Sequence, residues 1–291
     1  MTNPHDEGPD FGYAELGRIR LHYAKSGSGK ELVLLLHGFP EFWYSWRHQL
    51  ADLADEYTVV APDMRGYNLS EKPPDVASYK IDELIEDIAA LIKYFGHEQA
   101  AIVGHDWGAG VAWAIAQKKP EILSKLACLQ VPPPSVWRKN QTFRQFAASW
   151  YMFFFQIPFL PEMLLKSGDF AKLANGLKTT TAREGVFTNE DIEKYREAWA
   201  RSGALTGGLN YYRANIMKRM FGKAPVPKKI EVPTLFIYGE QDRAVLPQTV
   251  EGVGDMVGAE FTELRIPEAA HWVQLEAREK VTTALKEFLT K

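Results

Sequence analysis

The chain of 291 residues has one cysteine, Cys128. No internal disulfide can form, so stability must come from the core, and a reducing, cytoplasmic setting is expected. Basic charge is not in excess: 34 Lys and Arg stand against 37 Asp and Glu, a formal net charge of −3. With no concentrated basic patch, a nucleic-acid partner is not expected. Long hydrophobic runs are missing as well. The most aromatic stretch, WYMFFFQIPFL (150–160), is interrupted by Gln156 and Pro158 and is too short to span a bilayer. No membrane partner is expected. The opening MTNPHDEGPDFGY has neither a basic n-region nor an apolar h-region, so no signal peptide is expected. No Cys and His spacing suits a metal, and neither a metal nor an organic cofactor is expected. Internal repeats and low-complexity tracts are also absent.

What is present is an alternation of short apolar runs and amphipathic segments. ELVLLLHGFP (31–40), YTVVAPDMRGY (57–67), QAAIVGHDWG (99–108) and SKLACLQVPPP (124–134) each read as a strand buried on both faces. DELIEDIAALIKYFG (82–96) carries Leu84, Ile85, Ile88, Leu91, Ile92 and Phe95 at helical spacing and stops at Gly96. GAGVAWAIAQKKPE reads as a small-residue helix ending before Pro120. Strands alternating with helices predict an α/β fold with a mostly parallel central sheet flanked by helices. The rhythm stops at about Ser135 and returns at VPTLFIYGEQD (232–242) and FTELRIPEAAHW (261–272), with EAREKVTTALKEFLTK (276–291) as a closing amphipathic helix. Between them lie helical segments such as NEDIEKYREAWARSG, whose N-terminus Asn189 and Asp191 can serve. The organisation expected is therefore one α/β domain, 1–134 and 223–291, interrupted by a helical cap at 135–222.

Residues 104–110 read GHDWGAG, the G-x-S-x-G elbow with aspartate in place of serine. Gly104 and Gly108 allow a sharp strand-to-helix turn, and Gly110 adds room. The turn lifts Asp106 to the carboxyl edge of the sheet, where ligands bind in such folds. Alone, the heptad reads equally well as a glycine-rich turn with a solvated aspartate. Chain order weighs against that. Folds with this elbow place nucleophile, acid and histidine in sequence after successive strands. Here Asp106, Asp242 and His271 follow three such strands, with Glu240 a competitor for the acid. HGFP, His37 to Pro40, follows the first buried strand. A loop there can donate one backbone N–H to an oxyanion, and the residue after the nucleophile donates another, which assigns Phe39 and Trp107. His37 is expected to organise that loop, and His105 to point away from the site.

Together, HGFPEFWYSW, PDMRGYNLSEKP, GHDWGAG, GEQD and HW resemble the α/β-hydrolase-fold epoxide hydrolases over nearly the whole chain. The resemblance implies two cap tyrosines that touch the epoxide. One lies a few residues before an F-Q-x-P turn, which matches Tyr151. The other directly precedes an arginine in LNYYRAN, which matches Tyr212, with Tyr211 expected on the opposite side. Pocket walls are expected from His37, Pro40, Trp150, Phe154 and Trp272, alongside Phe39 and Trp107. The partners implied are a small-molecule epoxide and water, in a monomer or homodimer.

The residue types suit that reaction. A carboxylate, with an ordinary pKa of about 3.9, is ionised at neutral pH and needs no base to attack a strained saturated carbon. Tyrosines, with an ordinary pKa of about 10, are protonated and can donate to the opening oxygen. His271, held by Asp242, is then left to activate water against the ester. Two rivals share parts of the pattern. Haloalkane dehalogenases resemble the elbow but usually carry asparagine where Phe39 stands. Fluoroacetate dehalogenases carry arginine where Trp107 stands, and His-Trp where Ser149-Trp150 stands. A non-catalytic receptor on the same fold has no use for Asp242 and His271. A serine esterase is excluded by the elbow itself.

Overall fold

The computed structural model describes residues 8–221 and 226–291. Residues 1–7, where no signal peptide was expected, and residues 222–225, which include the expected end of the helical insertion, lie outside the described residues. The strands are β1 (Asp10–Glu15), β2 (Arg20–Ser26), β3 (Leu32–Leu36), β4 (Thr58–Pro62), β5 (Ala100–His105), β6 (Leu123–Leu129), β7 (Thr234–Gly239) and β8 (Phe261–Ile266). They form one eight-stranded sheet in the order β1-β2-β4-β3-β5-β6-β7-β8. β1 and β2 pair antiparallel, as do β2 and β4, and every other pairing is parallel. β3 to β7 match the apolar runs, and β8 closes the parallel side. β1 and β2 carry no continuous apolar run. β1 is the edge strand and β2 lies between it and β4, and most of their positions are exposed or half-buried, so the criterion that finds buried strands does not find them.

The period-2 alternation of side chains explains how five-residue strands bury everything. Leu32, Leu34 and Leu36 of β3 face one core cluster, and Val33 and Leu35 face the other. Helices α1 (Arg47–Asp52), α2 (Ile81–Tyr94) and α3 (Trp107–Lys118) follow β3, β4 and β5. Between β6 and β7 come α4 (Pro134–Lys139), α5 (Phe143–Ala148), α6 (Trp150–Phe154), α7 (Leu160–Thr179), α8 (Asn189–Ala200) and α9 (Ala204–Phe221), with no strand among the described residues. α7 is broken at Ser167–Phe170, where Gly168, Asp169 and Phe170 have positive φ. Since β6 and β7 are neighbours in the sheet, these helices leave and re-enter it at adjacent strands. α10 (Val273–Glu276) and α11 (Arg278–Thr290) complete the chain.

Two local expectations need correction. The N-terminus of α8 is capped by Thr188, whose side chain accepts from the Asp191 N–H while the Asp191 carboxylate, serving this end as expected, accepts from the Thr188 N–H. Asn189 is the first helical residue instead, and its side chain takes a bond from Lys178. The closing helix is two: Ala277, at φ −125° and ψ 45°, separates α10 from α11.

Candidate active site

Asp106 stands between β5 and α3 with φ 51° and ψ −115°, a conformation non-glycine residues seldom adopt. The elbow is as tight as the heptad implies. A Cβ on Gly104 would lie 2.4 Å from the Gly108 carbonyl oxygen, and one on Gly108 would lie 2.0 Å from that of Leu36. The Asp106 carboxylate is held by main-chain N–H groups on one side and faces His271 on the other. Oδ1 accepts from the Phe39 N–H at 2.9 Å, and the Trp107 N–H also bonds the carboxylate. Oδ2 faces His271 Nε2 at 3.7 Å. Burial raises the Asp106 pKa, while His271, His105 and the two N–H groups pull against that rise.

His271 Nδ1 bonds Asp242 Oδ2 at 2.8 Å. Asp242 Oδ1 accepts in turn from the N–H groups of Ala244 (2.7 Å) and Val245 (3.0 Å). Burial disfavours the charged imidazole, but Asp242, then Asp106 and Glu41, outweigh it, and the His271 pKa is raised to about 9. Glu240, the competitor for the acid, hydrogen-bonds instead through its main chain to Ile266. The structure thus brings Asp106, His271 and Asp242 into one line, with His271 and Asp242 buried and Asp106 half-buried.

A cavity opens above Asp106. Its lining includes Asp106, Trp107, Val131, Trp137, Met152, Ile216 and Val245, and both Tyr151 and Tyr212. The two tyrosine rings meet edge to face, with centroids 6.0 Å apart. The Trp107 ring packs edge-on against Tyr212 at 5.1 Å, and its side chain hydrogen-bonds the Tyr212 hydroxyl. Burial, then the Asp106 charge, push the Tyr212 pKa well up, so the phenol keeps its proton. Tyr211 points elsewhere: its hydroxyl donates to the Arg65 carbonyl at 2.8 Å and its ring packs on Tyr67 and Tyr79. One helical step explains the difference, because adjacent residues point to faces about 100° apart.

The segments bearing the two tyrosines are tied together. Gln156 Nε2 donates to the Tyr212 carbonyl at 3.2 Å. The next residue, Arg213, donates to the carbonyls of Phe155 and Ile157, each at 3.0 Å, and pairs with Glu162 at 2.6 Å.

Five expected wall residues do not line this cavity. His37 is buried in its loop, donating from Nδ1 to the Gly38 carbonyl and accepting the Met64 N–H at Nε2; burial lowers its pKa. Pro40 gives its carbonyl to the Trp199 indole. Trp150 is 63 % exposed and packs on Phe154, which packs in turn on Phe155. Trp272 backs His271 edge-on and bonds Thr180 Oγ1. Trp150 and Phe154 lie on the short helix α6, which turns successive residues to different sides. Phe39 is also absent from the lining: it contributes its N–H below, and its ring supports Tyr212 and Phe155 from behind.

One polar cluster has no motif to announce it. Glu41, fully buried, accepts from the Gly38 N–H (2.9 Å), His105 Nδ1 (2.7 Å) and Gln274 Nε2 (2.8 Å). His105 Nε2 donates on to the His271 carbonyl at 2.8 Å. His105 does point away from the cavity, as its place next to Asp106 on a strand requires, yet it links the Phe39 loop to the His271 loop. Burial opposes the Glu41 charge, but His105 and the Gly38 N–H hold its pKa low. Among the described residues, no group of three or more His, Cys, Asp and Glu side chains could hold a metal ion. No described helix is long and apolar enough to cross a membrane.

Comparison with known proteins agrees with this geometry. Residues 31–278 match the alpha/beta hydrolase fold family. Epoxide hydrolase 1 of Caenorhabditis elegans is 41 % identical over 294 residues, covering 98 % of this chain and 71 % of its own length. An AB hydrolase superfamily protein of Bacillus subtilis (strain 168) is 38 % identical, covering 97 % of this chain and 99 % of its own. The crystal structure of Bacillus megaterium epoxide hydrolase in complex with an inhibitor superposes with a TM-score of 0.87 at 33 % identity, over 96 % of this chain and 100 % of that one. The chain belongs to the alpha/beta hydrolase fold family and, within it, to the epoxide hydrolases.

Proposed function

We propose that the chain hydrolyses epoxides to vicinal diols in two covalent steps, with Asp106 as nucleophile and no cofactor. The observation that carries this reading is the opposition of two surfaces. Asp106 lines the cavity, with Oδ1 accepting the Phe39 N–H and Oδ2 facing His271. Two phenols, Tyr151 and Tyr212, line the same cavity. In the first step Oδ2 attacks an epoxide carbon from the side opposite the C–O bond. That bond breaks, its electron pair passes to the epoxide oxygen, and the phenols donate to the charge as it develops. The product is an alkyl ester on Asp106.

In the second step His271 Nε2 takes a proton from water, and the oxygen attacks Asp106 Cγ. Charge collects on Oδ1, which accepts the Phe39 N–H. The tetrahedral anion collapses, the ester C–O bond breaks, and the leaving alkoxide takes the imidazolium's proton to give the diol. Asp106, left as the acid, returns its proton to the ring. Asp242 orients the imidazole and balances its charge. In this reading 135–222 act as a cap that brings the phenols over a core built from 1–134 and 223–291. The single cysteine supports a reducing compartment such as the cytoplasm.

The test is His271→Gln with an excess of a terminal epoxide. Intact-protein mass spectrometry is expected to find one added epoxide mass that persists and maps to Asp106. Full turnover without an adduct would remove His271 from the mechanism. Halide release from chloroalkanes, without diol from any epoxide, would replace the reaction itself.

A further inference from the structure

Gln130 is the first residue beyond β6, and it holds an unusual position. Its main chain adopts φ 68° although it is not glycine, and its side chain is fully buried. All of its amide capacity facing the interior is used. Nε2 donates to Asp242 Oδ2 at 2.8 Å and to the Ala270 carbonyl at 2.8 Å, and Oε1 accepts the Gly239 N–H at 2.6 Å. The amide orientation is thereby determined, since a flip would set Oε1 against a carboxylate and a carbonyl. A non-glycine residue stays in the left-handed region only where its surroundings hold it there, and such residues gather at functional sites. Here the three hydrogen bonds are what hold it.

The partners of those bonds matter more than their number. Gly239 ends β7, Asp242 follows it, and Ala270 immediately precedes His271. One side chain from a third strand therefore bridges the two loops that carry the acid and the histidine. It also shares an atom with them: Asp242 Oδ2 accepts both from Gln130 Nε2 and from His271 Nδ1. With Oδ1 committed to Ala244 and Val245, the carboxylate cannot rotate without losing several bonds at once.

We propose that Gln130 is a positioning residue for ester hydrolysis: it aims Asp242 Oδ2 at the imidazole, fixes the Ala270–His271 backbone, and limits how much of that oxygen's charge the ring receives. It touches neither the cavity nor Asp106, so it acts on the reaction through Asp242 and the Ala270–His271 backbone. This rests on the two-step reading above. The step it serves is the second one, in which His271 must be neutral to accept water's proton.

The charged and titratable groups around the ring are Asp242, Asp106, Glu41, Glu276 and His105. Substitution at 130 removes none of them, so a change in the ring's titration reports the missing amide. Two variants separate positioning from folding. Gln130→Met keeps roughly the side-chain length without a donor. Gln130→Gly also lacks the donor but suits φ 68°, so the backbone is relaxed.

Single-turnover stopped-flow fluorescence resolves ester formation from ester hydrolysis. In both variants, formation should stay within about threefold of the parent, while hydrolysis slows by about tenfold or more and ester accumulates. The pH limb of the hydrolysis step should move upward by roughly half a unit, because an Asp242 oxygen relieved of the amide holds the imidazolium more tightly. Equal slowing of both steps, or a lower melting temperature with unchanged hydrolysis and an unmoved pH limb, would overturn the proposal. His271→Gln, run alongside, keeps the failures apart. If it traps ester while the Gln130 variants behave as the parent, the positioning role falls and the two-step reading stands. If it traps none, the two-step reading falls first.

Discussion

Alkylation of Asp106 should convert His271 from an acid into a base. In the free protein the ring lies between Asp242 at 2.8 Å and Asp106 at 3.7 Å, and its pKa is about 9, so it is an imidazolium at pH 7. An imidazolium cannot take a proton from water. Ester formation turns Asp106 into a neutral group and removes one of the two nearest anions. At 3.7 Å, with an effective dielectric of about 20 to 40, that anion is worth roughly 2 to 4 kcal/mol to the cation. The pKa should therefore fall by about 1.5 to 3 pH units, into the neutral range. The proton given up balances the one gained by the opening oxygen, with the tyrosines between. The assay is single-turnover fluorescence across pH 5 to 10, reading Trp107 beside Asp106. Ester hydrolysis should rise with pH through an apparent pKa near neutrality, while the free protein's ring, followed by NMR, titrates at about 9. A hydrolysis limb at 9 or above would refute the argument, as would a free-protein ring titrating at or below its ordinary value.

Tyr212→Phe removes one donor to the opening oxygen and should slow ester formation by about a hundredfold while leaving hydrolysis within about threefold; the reverse pattern in the same traces would take Tyr212 out of the first step. Gly38→Ala places a methyl 2.2 Å from Asp106 Oδ1, so the carboxylate must move, and activity should drop by about a hundredfold; diol formation within a few-fold of the parent would show that the loop yields instead. Glu41→Ala leaves a buried histidine and the Gly38 N–H without their carboxylate, and the urea midpoint should report a loss of about 3 to 5 kcal/mol; a loss below about 1 kcal/mol would mean that water replaces it.

The parts of this molecule that are legible in sequence are those whose physics is local. A strand buried on both faces must be continuously apolar, so β3 to β7 stand out, and the loops after β3, β5 and β7 carry Phe39, Asp106 and Asp242. Asp106 is legible because the elbow leaves room only for glycine at 104 and 108. Asp242 and His271 are legible because the sheet returns them to one edge in a fixed order. β1 and β2 are not, since strands of the antiparallel end with one face near solvent need no continuous apolar run. Neither are the cavity walls. Trp150 and Phe154 look like wall residues by composition, yet their direction depends on where α6 begins, and a one-residue change in phase turns each by about 100°. Tyr212 over Tyr211 is such a choice, made by resemblance and matched by the placement of the two rings. Glu41 and Gln130 lie beyond sequence reading altogether, because their partners are 64 and 112 residues away and no spacing records them.

The ties among Gln156, Arg213 and the Tyr212 carbonyl have a consequence for how selectivity can change. The two phenols come from helices about sixty residues apart in the chain, but they hang from one hydrogen-bonded frame. Their spacing is therefore a property of the frame, and one ordering cost serves both donors. A substitution beside either tyrosine shifts the pair against Asp106 without altering the pair itself. Preference between the two carbons of an epoxide should thus drift through the wall residues, Val131, Met152, Ile216 and Val245, which decide how the ring lies beneath a fixed pair of donors.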